Sequence, residues 1–315
     1  MSENKIVSEL LTNVSIHYKN AAYVAQMLLP RLPVTAVAGE YVKYGKEDAF
    51  TLSSQKRGPK SQAQEVDWSS TTEKYKLESY ALKDSITDRI RDSGSRNSMD
   101  IEVDTVDFLT DLLMLGREKR LAALVTDTTK MTNNTTLSGT SQFSDYVNSN
   151  PLSVLLECRD QCFMEPNMMV MPQGVWAKLQ FHPLLVKSVY PNGDGSGIVT
   201  IRQLSELLGI GSVYIAKGKY NTAAKGKPAV YQNLWGKDIV MAYVSPTISP
   251  KTVSLGWDFT LSHGVLSDGE EQTYRVRKWR DESIGGGGDW IEVDYEAEAA
   301  IVCPDVGFLI KNAVA

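Results

Sequence analysis

The longest uninterrupted helical pattern in the chain runs from Ser98 to about Lys130. It contains no proline and a single glycine, Gly116, and either Asn97 or Ser98 can cap its N-terminus. At about 1.5 Å of rise per residue, this segment predicts a rod of roughly 45 Å. Its apolar residues form two adjacent stripes, so we expect other elements, rather than a coiled-coil partner, to cover it on two sides. The stripes comprise Val103, Val106, Leu109, Leu113, Leu121 and Leu124, and Ile101, Phe108, Leu112, Leu115, Ala122 and Val125.

Composition places the chain among ordinary globular proteins. Its 315 residues are 42% apolar and 23% charged, which is enough apolar material for one large domain or two smaller ones. A formal net charge of −5 argues against strong non-specific binding of nucleic acid, which requires a basic surface. Three cysteines, an odd and sparse set, favour a reducing compartment. No apolar run approaches the length of a membrane span and no signal region opens the chain, so we expect a cytoplasmic protein that contacts no membrane.

Residues 1–40 are predicted to form an N-terminal arm. Apolar spacing predicts one short amphipathic helix over residues 6–14 and another over residues 23–28, stopped by Pro30. Helices this short are unstable alone, so the body of the protein or a neighbouring chain must cover their apolar faces. Leu10, Leu11 and Tyr23 are therefore candidates for contacts between subunits.

Residues 41–92 are predicted to form an extended loop. Strand patterns at Tyr41–Tyr44 and Glu73–Leu82 flank a segment rich in serine and glutamine, with almost nothing to bury. Compact domains rarely carry such a loop without a purpose. The flanking strands favour a two-stranded extension that lies on another subunit over a disordered surface insertion. The candidate contact residues here are Lys56, Arg57, Lys60 and Trp68.

Residues 166–251 are predicted to form a mixed α/β lobe. A buried strand over residues 167–171 is followed by a helix over residues 201–208 and a strand over residues 213–216. Two further strands, over residues 228–235 and 239–244, are expected to pair with each other around Gly236-Lys237.

From Thr252 the pattern becomes β. A basic stretch over residues 274–280 precedes an acidic stretch over residues 281–300, and four glycines at residues 285–288 separate the basic stretch from the strand pattern of residues 290–301. A hairpin here places Arg277 opposite Glu292 and Arg275 opposite Asp294, and these four residues are also candidate contacts between subunits. Exposed pairs of this kind contribute only about 0.2–1 kcal/mol each, so they are expected to set register more than stability.

No catalytic, cofactor or metal motif stands out. The segment Asn192–Gly197 resembles the first half of a calcium loop, but its twelfth position is Gln203, which cannot supply the bidentate carboxylate. Cys158 and Cys162 are four residues apart on a predicted helix with no histidine near them, so small core residues are expected rather than a metal pair. We therefore expect no enzyme activity and no cofactor.

The order of these segments resembles a known family, the major capsid proteins of tailed bacteriophages with the Hong Kong 97-type shell fold. The resemblance covers nearly the whole chain, and no single motif in it is specific. It includes the arm with Leu29-Pro-Arg-Leu-Pro-Val34, the extended loop, the long helix, Met168-Met-Val-Met-Pro172, Leu207-Leu-Gly-Ile-Gly211, Leu234-Trp-Gly236 and the Phe308–Ala313 ending.

The resemblance implies an α+β fold with five parts. These are an N-terminal arm (1–40), an extended β-hairpin loop or E-loop (41–92), a P-domain with the spine helix (93–165), an A-domain that meets symmetry axes (166–251), and return strands completing the P-domain (252–315). In some members of the family, a loop lysine is cross-linked to an asparagine of another subunit. Lys56, Lys60 and Asn312 are of the right residue types for such a cross-link, but no motif in this sequence identifies them as the linked residues.

The same resemblance implies a function and partners. Pentamers and hexamers of this chain would form an icosahedral shell around double-stranded DNA, assembled in the host bacterial cytoplasm and present in the virion. The implied partners are other copies of the chain, a separate scaffolding protein, a portal, a decoration or minor capsid protein, and packaged DNA touched weakly and non-specifically. An encapsulin-like nanocompartment shell and an intracellular α+β enzyme or binding module are the alternatives.

Overall fold

The computed structural model describes most of the chain as a mixed α+β structure. The described residues are 6–7, 23–44, 52, 56–57, 62, 65, 70–96, 100–191, 195, 197–224, 226–249, 252–264 and 271–315. Their helices are α1 (Ala25–Leu28), α2 (Asp88–Arg96), α3 (Ile101–Val125), α4 (Pro151–Asp160), α5 (Gln173–Leu179), α6 (Pro183–Val189) and α7 (Ile201–Leu208). Their strands are β1 (Ile6–Val7), β2 (Arg31–Val34), β3 (Ala38–Tyr44), β4 (Ser70–Lys76), β5 (Glu78–Thr87), β6 (Asn134–Thr136), β7 (Met168–Pro172), β8 (Ser212–Ala216), β9 (Lys219–Asn221), β10 (Tyr231–Asn233), β11 (Ile239–Ala242), β12 (Gly256–Leu261), β13 (Arg275–Asp281), β14 (Gly288–Ile301) and β15 (Gly307–Lys311).

Two larger sheets organise these strands. The first has β14 at its centre, with β5 along one edge and β13 followed by β12 along the other; β1 and β2 extend it outward. The second has the order β6-β15-β11-β7-β8. Helix α3 packs on the first sheet through Val106, Leu109 and Leu113, which meet Val293 and Tyr295. Helices α4 to α7 cover the second sheet around a separate apolar core.

The predicted long helix is present but shorter than expected. It spans 25 residues, about 38 Å, and is capped by Asp100 rather than by Asn97 or Ser98. The Asp100 side chain accepts a hydrogen bond from the Val103 amide at 3.3 Å, which satisfies one of the unpaired first-turn donors. At the other end, the Thr126 hydroxyl donates to the Ala122 carbonyl.

Only one of the two predicted stripes of α3 is covered along its length. In the first, Val106, Leu109, Leu113 and Leu121 are buried as expected. In the second, Ala122 and Val125 are buried, whereas Phe108 and Leu112 are 59% and 38% exposed. Cover on two sides therefore reaches only the C-terminal half, where α1 packs against the helix.

The arm differs from its prediction in the first segment and agrees in the second. Ile6–Val7 is a strand paired antiparallel with β13, not a helix, because the free edge of β13 supplies hydrogen bonds that an isolated turn of helix lacks. Leu10 and Leu11 lie outside the described residues. The second segment forms α1, and Leu28 and Leu29 are fully buried against α3 and the second sheet of the same chain.

The extended loop contains the predicted pair of strands. β3 and β4 pair antiparallel from Ala38↔Lys76 to Tyr44↔Ser70. The predicted single strand over residues 73–82 is wrong, because the chain changes sheets at buried Leu77: β4 pairs with β3 and β5 pairs with β14. The helix α2 that follows was not predicted.

The strand pairing predicted within the lobe is also wrong. β10 pairs with β9, whereas β11 lies between β7 and β15 in the second sheet. All four residues of β11 are buried and apolar, which suits a central strand covered on both faces, while β10 is exposed throughout. Strand β15 also belongs to this sheet, so residues 252–315 contribute strands to both larger sheets.

Candidate assembly surfaces

The hairpin of β13 and β14 has the predicted register, but its charges are not on an exposed face. Arg275 lies opposite Asp294, and Arg277 lies opposite Glu292. Asp294 is only 1% exposed, and it pairs with Arg275 at 2.6 Å and with Arg277 at 2.8 Å. The description of these pairs as exposed is therefore wrong: Asp294 is buried between two partly covered arginines.

The remaining basic residues of β13 are also paired within the chain. Lys278 reaches Glu102 on α3 at 2.6 Å, and Arg280 reaches Asp88 on α2 at 2.6 Å. The hydrogen bond from Arg280 holds the pKa of Asp88 below its ordinary value. We refer to β13 as the arginine strand; it ties the first sheet to both helices, and its charges already have partners before any second subunit is considered.

A buried polar junction, which the sequence did not reveal, fixes α1 to the body. The Glu118 carboxylate accepts hydrogen bonds from the Val24 amide at 3.0 Å, the Ala25 amide at 3.0 Å and the Trp235 indole at 2.8 Å. These donors satisfy a carboxylate that would otherwise be costly to bury. The only sequence signal was a charged pair, Arg117-Glu118, inside an apolar helical pattern.

The neighbouring Arg117 completes this junction. It pairs with buried Asp258 on β12 at 2.5 Å and also donates to the Gln26 side chain. The short contact between Arg117 and Asp258 and the added hydrogen bond to Gln26 offset the cost of removing the two charges from water. The junction therefore joins α1, α3 and β12 of one chain, which makes residues 23–34 part of their own subunit.

The extended hairpin of β3 and β4 is anchored at its base by aromatic packing. The Tyr75 ring stacks on Phe259 of β12 at 4.9 Å between centroids, and Tyr41 lies 5.2 Å from the same ring. Tyr41 also donates to Glu73 at 2.6 Å, and burial raises the pKa of its hydroxyl. The base of the hairpin thus has a fixed position on the first sheet.

Where the structure describes them, the remaining candidate contact residues are exposed or half-buried. Lys56 and Arg57 are exposed, whereas Lys60 and Trp68 lie outside the described residues. Tyr23 is half-buried and donates a hydrogen bond to Asp111 on α3 at 3.0 Å. Asn312, the candidate cross-linking asparagine, is exposed with a positive φ of 52°.

A second small hairpin, formed by β9 and β10, carries lysines for which the described residues supply no ion-pair partner. Residues 216–237 contain five lysines and no acidic residue. Among the described residues, Lys217, Lys219, Lys227 and Lys237 are exposed and none lies within ion-pair distance of a described carboxylate. We refer to residues 217–237 as the lysine hairpin. Apolar side chains are exposed beside the lysines, with Val230 at 53% and Tyr231 at 69%.

The N-terminal half of α3 presents a surface of opposite charge, which we call the open helix face. It comprises Asp104, Asp107, Phe108 and Leu112, which fall within one side of the helix. No described cation pairs with Asp104 or Asp107. Partial burial and the charge of Asp104 raise the pKa of Asp107.

The described residues show no chemical centre. They contain no cluster of three or more side chains suited to hold a metal ion, and none of their helices combines the length and apolarity needed to cross a bilayer. Cys158, Cys162 and Cys303 form no disulfide, and burial raises the pKa of Cys158 to about 12. Most of the calcium-like segment at residues 192–197 lies outside the described residues.

Solved structures from phages and from a virus-like particle share this arrangement of elements. A phage-related protein from Bordetella bronchiseptica superposes with a TM-score of 0.74 at 19% identity, covering 99% of this chain and 98% of the other. The capsid protein of cyanophage P-SCSP1u gives a TM-score of 0.58 at 10% identity, covering 93% and 89%. The chain has the Hong Kong 97-type capsid fold. A virus-like particle from Pyrococcus furiosus has a similar fold, with a TM-score of 0.54 at 12% identity and 96% of each chain covered.

Two proteins with similar sequences are named major capsid proteins. The major capsid protein of Pseudomonas phage JBD67 is 29% identical over 313 residues, which cover 97% of this chain and 96% of that protein. The major capsid protein of Burkholderia phage BcepMu is 28% identical over 253 residues, 78% of each chain. No protein-family model matches the chain.

Proposed function

We propose that this chain is the major capsid protein of a bacteriophage and that its copies form the shell of the phage head. The observation that carries the proposal is full-length similarity, at 29% identity, to a protein named major capsid protein, combined with the capsid fold. Two features of the chain support it: an extended hairpin whose base is anchored on the first sheet, and exposed apolar residues on α3 that other copies could cover. The chain acts as a structural protein and not as an enzyme.

The finer proposal concerns assembly. Head-to-tail contacts between identical subunits close into rings, and rings of five and six build an icosahedral shell around double-stranded DNA. A separate scaffolding protein, a portal and a decoration or minor capsid protein complete the head. DNA is touched weakly, in keeping with the net charge of −5. Assembly takes place in the cytoplasm of the host bacterium, and the product is the virion.

Electron microscopy of the purified chain, combined with sedimentation velocity, tests this function. Closed or partial shells, or rings of five and six, are expected. A homogeneous monomer or dimer at high concentration, unchanged by crowding agents or by co-expressed scaffold, contradicts it. Saturable binding of a small ligand by such a small oligomer would instead favour the α+β enzyme or binding module.

The extended hairpin provides a more local test. We expect deletion of residues 55–64 to leave the subunit folded but to impair assembly, because the hairpin is anchored at its base by Tyr41 and Tyr75 on Phe259. Circular dichroism and thermal melting check the fold, and sedimentation checks assembly. Loss of soluble, folded protein would show that this segment belongs to the core of the subunit. Substitution of Lys56 and Arg57 by serine removes two charges and keeps the length of the segment. Comparison with the deletion therefore separates the effect of charge on assembly from the effect of segment length.

An encapsulin-like compartment has weaker support. The fold alone does not distinguish it, because the virus-like particle from Pyrococcus furiosus also superposes. The sequence relatives, both named as phage capsid proteins, favour the phage shell. Shells that take up a defined host enzyme through a short peptide, rather than DNA, would reverse this preference.

A further inference from the structure

Two regions of this acidic chain are rich in basic residues, and among the described residues only those of the arginine strand form ion pairs within the chain. On the arginine strand, Arg275, Arg277, Lys278 and Arg280 each contact a carboxylate of the same chain within 2.9 Å. The four described lysines of the lysine hairpin contact no described carboxylate. Because like charges repel one another, binding of an anionic partner to this hairpin would reduce the repulsion among its lysines.

The strands of the lysine hairpin have a defined position on their own subunit. Its strands pair with the register Tyr231↔Asn221 and Asn233↔Lys219, so Lys219 and Tyr231 lie on the same side of the hairpin. On the other side, the Tyr220 ring receives the Lys119 ammonium of α3 at 4.2 Å. This contact fixes the hairpin beside the C-terminal half of α3 and leaves Lys219 and Tyr231 facing outward.

The open helix face has the complementary composition. Its two aspartates lie beside exposed Phe108 and Leu112, just as the lysines lie beside exposed Val230 and Tyr231. A mixed surface of this kind suits a protein partner, which buries apolar groups while it pairs charges. A nucleic acid would neutralise the lysines but would leave the open helix face without a partner.

These two surfaces cannot neutralise each other within one chain. Lys119, which anchors the hairpin, is 12 residues from Asp107 and 15 from Asp104 on a continuous helix. At about 1.5 Å per residue, the separation along the helix axis is roughly 20 Å. Opposite surfaces held apart on a rigid rod can meet only between molecules, in a head-to-tail contact of the kind that closes rings.

We propose that the lysine hairpin of one copy docks on the open helix face of a neighbouring copy, with Lys219, Lys227 and Tyr231 against Asp104, Asp107 and Phe108. This inference rests on the proposed shell function and names one of its contacts. The contact is heterologous, since each copy offers a hairpin to one neighbour and a helix face to another.

Charge reversal tests the contact. The variant K219E/K227E makes the hairpin acidic, and the variant D104K/D107K makes the helix face basic. We expect each to keep its thermal unfolding transition, because none of the four side chains has a described ion-pair partner, and each to lower the fraction of subunits in rings or shells at least about tenfold. The control K130E/K187E makes the same change of net charge as K219E/K227E, at exposed lysines elsewhere, and is expected to assemble as the unmodified chain does.

Mixing the two variants gives a sharper result. In a ring of six that alternates them, every hairpin meets a helix face of opposite charge, so an equimolar mixture is expected to regain the six-membered rings that neither variant forms alone. A ring of five cannot alternate two variants, so rings of this size are not expected to be rescued by mixing. The four-site variant is expected to assemble for the same reason. Rescue of this kind requires direct contact between the two surfaces, and a general effect of net charge cannot produce it.

Three outcomes overturn the inference. Normal assembly of K219E/K227E refutes it and leaves the shell function standing. Failure of both the mixture and the four-site variant to exceed the single variants refutes direct pairing. Normal assembly accompanied by a loss of binding to a fluorescent DNA duplex assigns the lysines to DNA. Absence of assembly by the unmodified chain under every condition, scaffold included, is a different result, because it removes the shell function itself.

Discussion

The arginine strand and the lysine hairpin carry similar numbers of positive charges and use them in opposite ways. On β13, Arg275 and Arg277 share Asp294, which is almost completely buried, and Lys278 and Arg280 bind helices α3 and α2. On the lysine hairpin, every described lysine is exposed and none is paired with a described carboxylate. Charges of the first kind hold a subunit together, whereas charges of the second kind remain available for a partner.

The residue types fit these two uses. Arginine has a planar guanidinium that can bind two carboxylates at once, as Arg277 does with Glu292 and Asp294. Lysine is a strongly hydrated point charge on a flexible stem, and it keeps its hydration at an open surface. The comparison predicts that substitutions in the first region act on folding and that substitutions in the second act on association.

The largest effect is expected from Asp294→Ala. Removal of this carboxylate leaves Arg275 and Arg277, each about three-quarters buried, without their shared partner. Breaking a buried pair in this way costs about 3 kcal/mol of the free energy of unfolding. Urea unfolding measures the loss, and Glu296→Ala on the same strand is the matched control, expected to cost well under half as much. An equal loss from both variants would mean that Asp294 contributes by strand position and not by charge.

A smaller, pH-dependent effect is expected from Asp88→Asn. The pKa of Asp88 is lowered below 3.8 by the hydrogen bond from Arg280, so the folded state favours the ionised form. The stabilisation is therefore present above that pH and is lost as the pH falls through the folded-state pKa. The urea midpoint of the variant should lie below that of the unmodified chain at neutral pH, and the two should converge in acid.

Asp104→Asn on the open helix face is the control for this pH dependence. Asp104 has no described cation beside it, so no loss of midpoint at neutral pH is expected from its neutralisation. A constant difference between Asp88→Asn and the unmodified chain at all pH values would contradict the role given to the Arg280 contact.

The smallest effect on folding is expected from Lys219→Ala with Lys227→Ala. Exposed, unpaired lysines contribute little to the folded state, so the free energy of unfolding should change by no more than about 0.5 kcal/mol. Differential scanning calorimetry and urea unfolding measure this. A loss of unfolding free energy as large as that of Asp294→Ala would show that these lysines stabilise the fold of the subunit, as the charges of the arginine strand do. The proposed contrast between the two regions would then be wrong.

The local sequence pattern correctly predicted the elements that are stabilised by contacts between residues close together in the sequence. The helix at Ile201–Leu208 has its expected bounds, because Thr200 and Gln203 form a capping box and Gly209 ends it in the left-handed conformation. The register of β13 against β14 also follows from sequence, since a short connection and two complementary charge patterns allow few alternatives. The order of the segments was enough to indicate the capsid fold.

Pairings between distant segments could not be predicted. Strand β10 was expected to pair with β11, but β11 is buried between β7 and β15, which are about 70 residues away on either side. Strand length and apolar content identify a central strand but not its neighbours. The division of residues 73–82 between two sheets has the same cause, because the pattern on each side of Leu77 is consistent with a single strand.

By itself, the sequence determined the long helix, the charge-matched hairpin and the likeness to capsid proteins, because each depends on local periodicity or on segment order. Only the tertiary structure decided which charges are satisfied. Whether Glu118 has three donors, whether Asp294 is buried, and whether the lysine hairpin and the open helix face remain unpaired are settled by distances between segments far apart in the chain. Electrostatic energy depends on those distances and on burial, and neither quantity is written in the order of the residues.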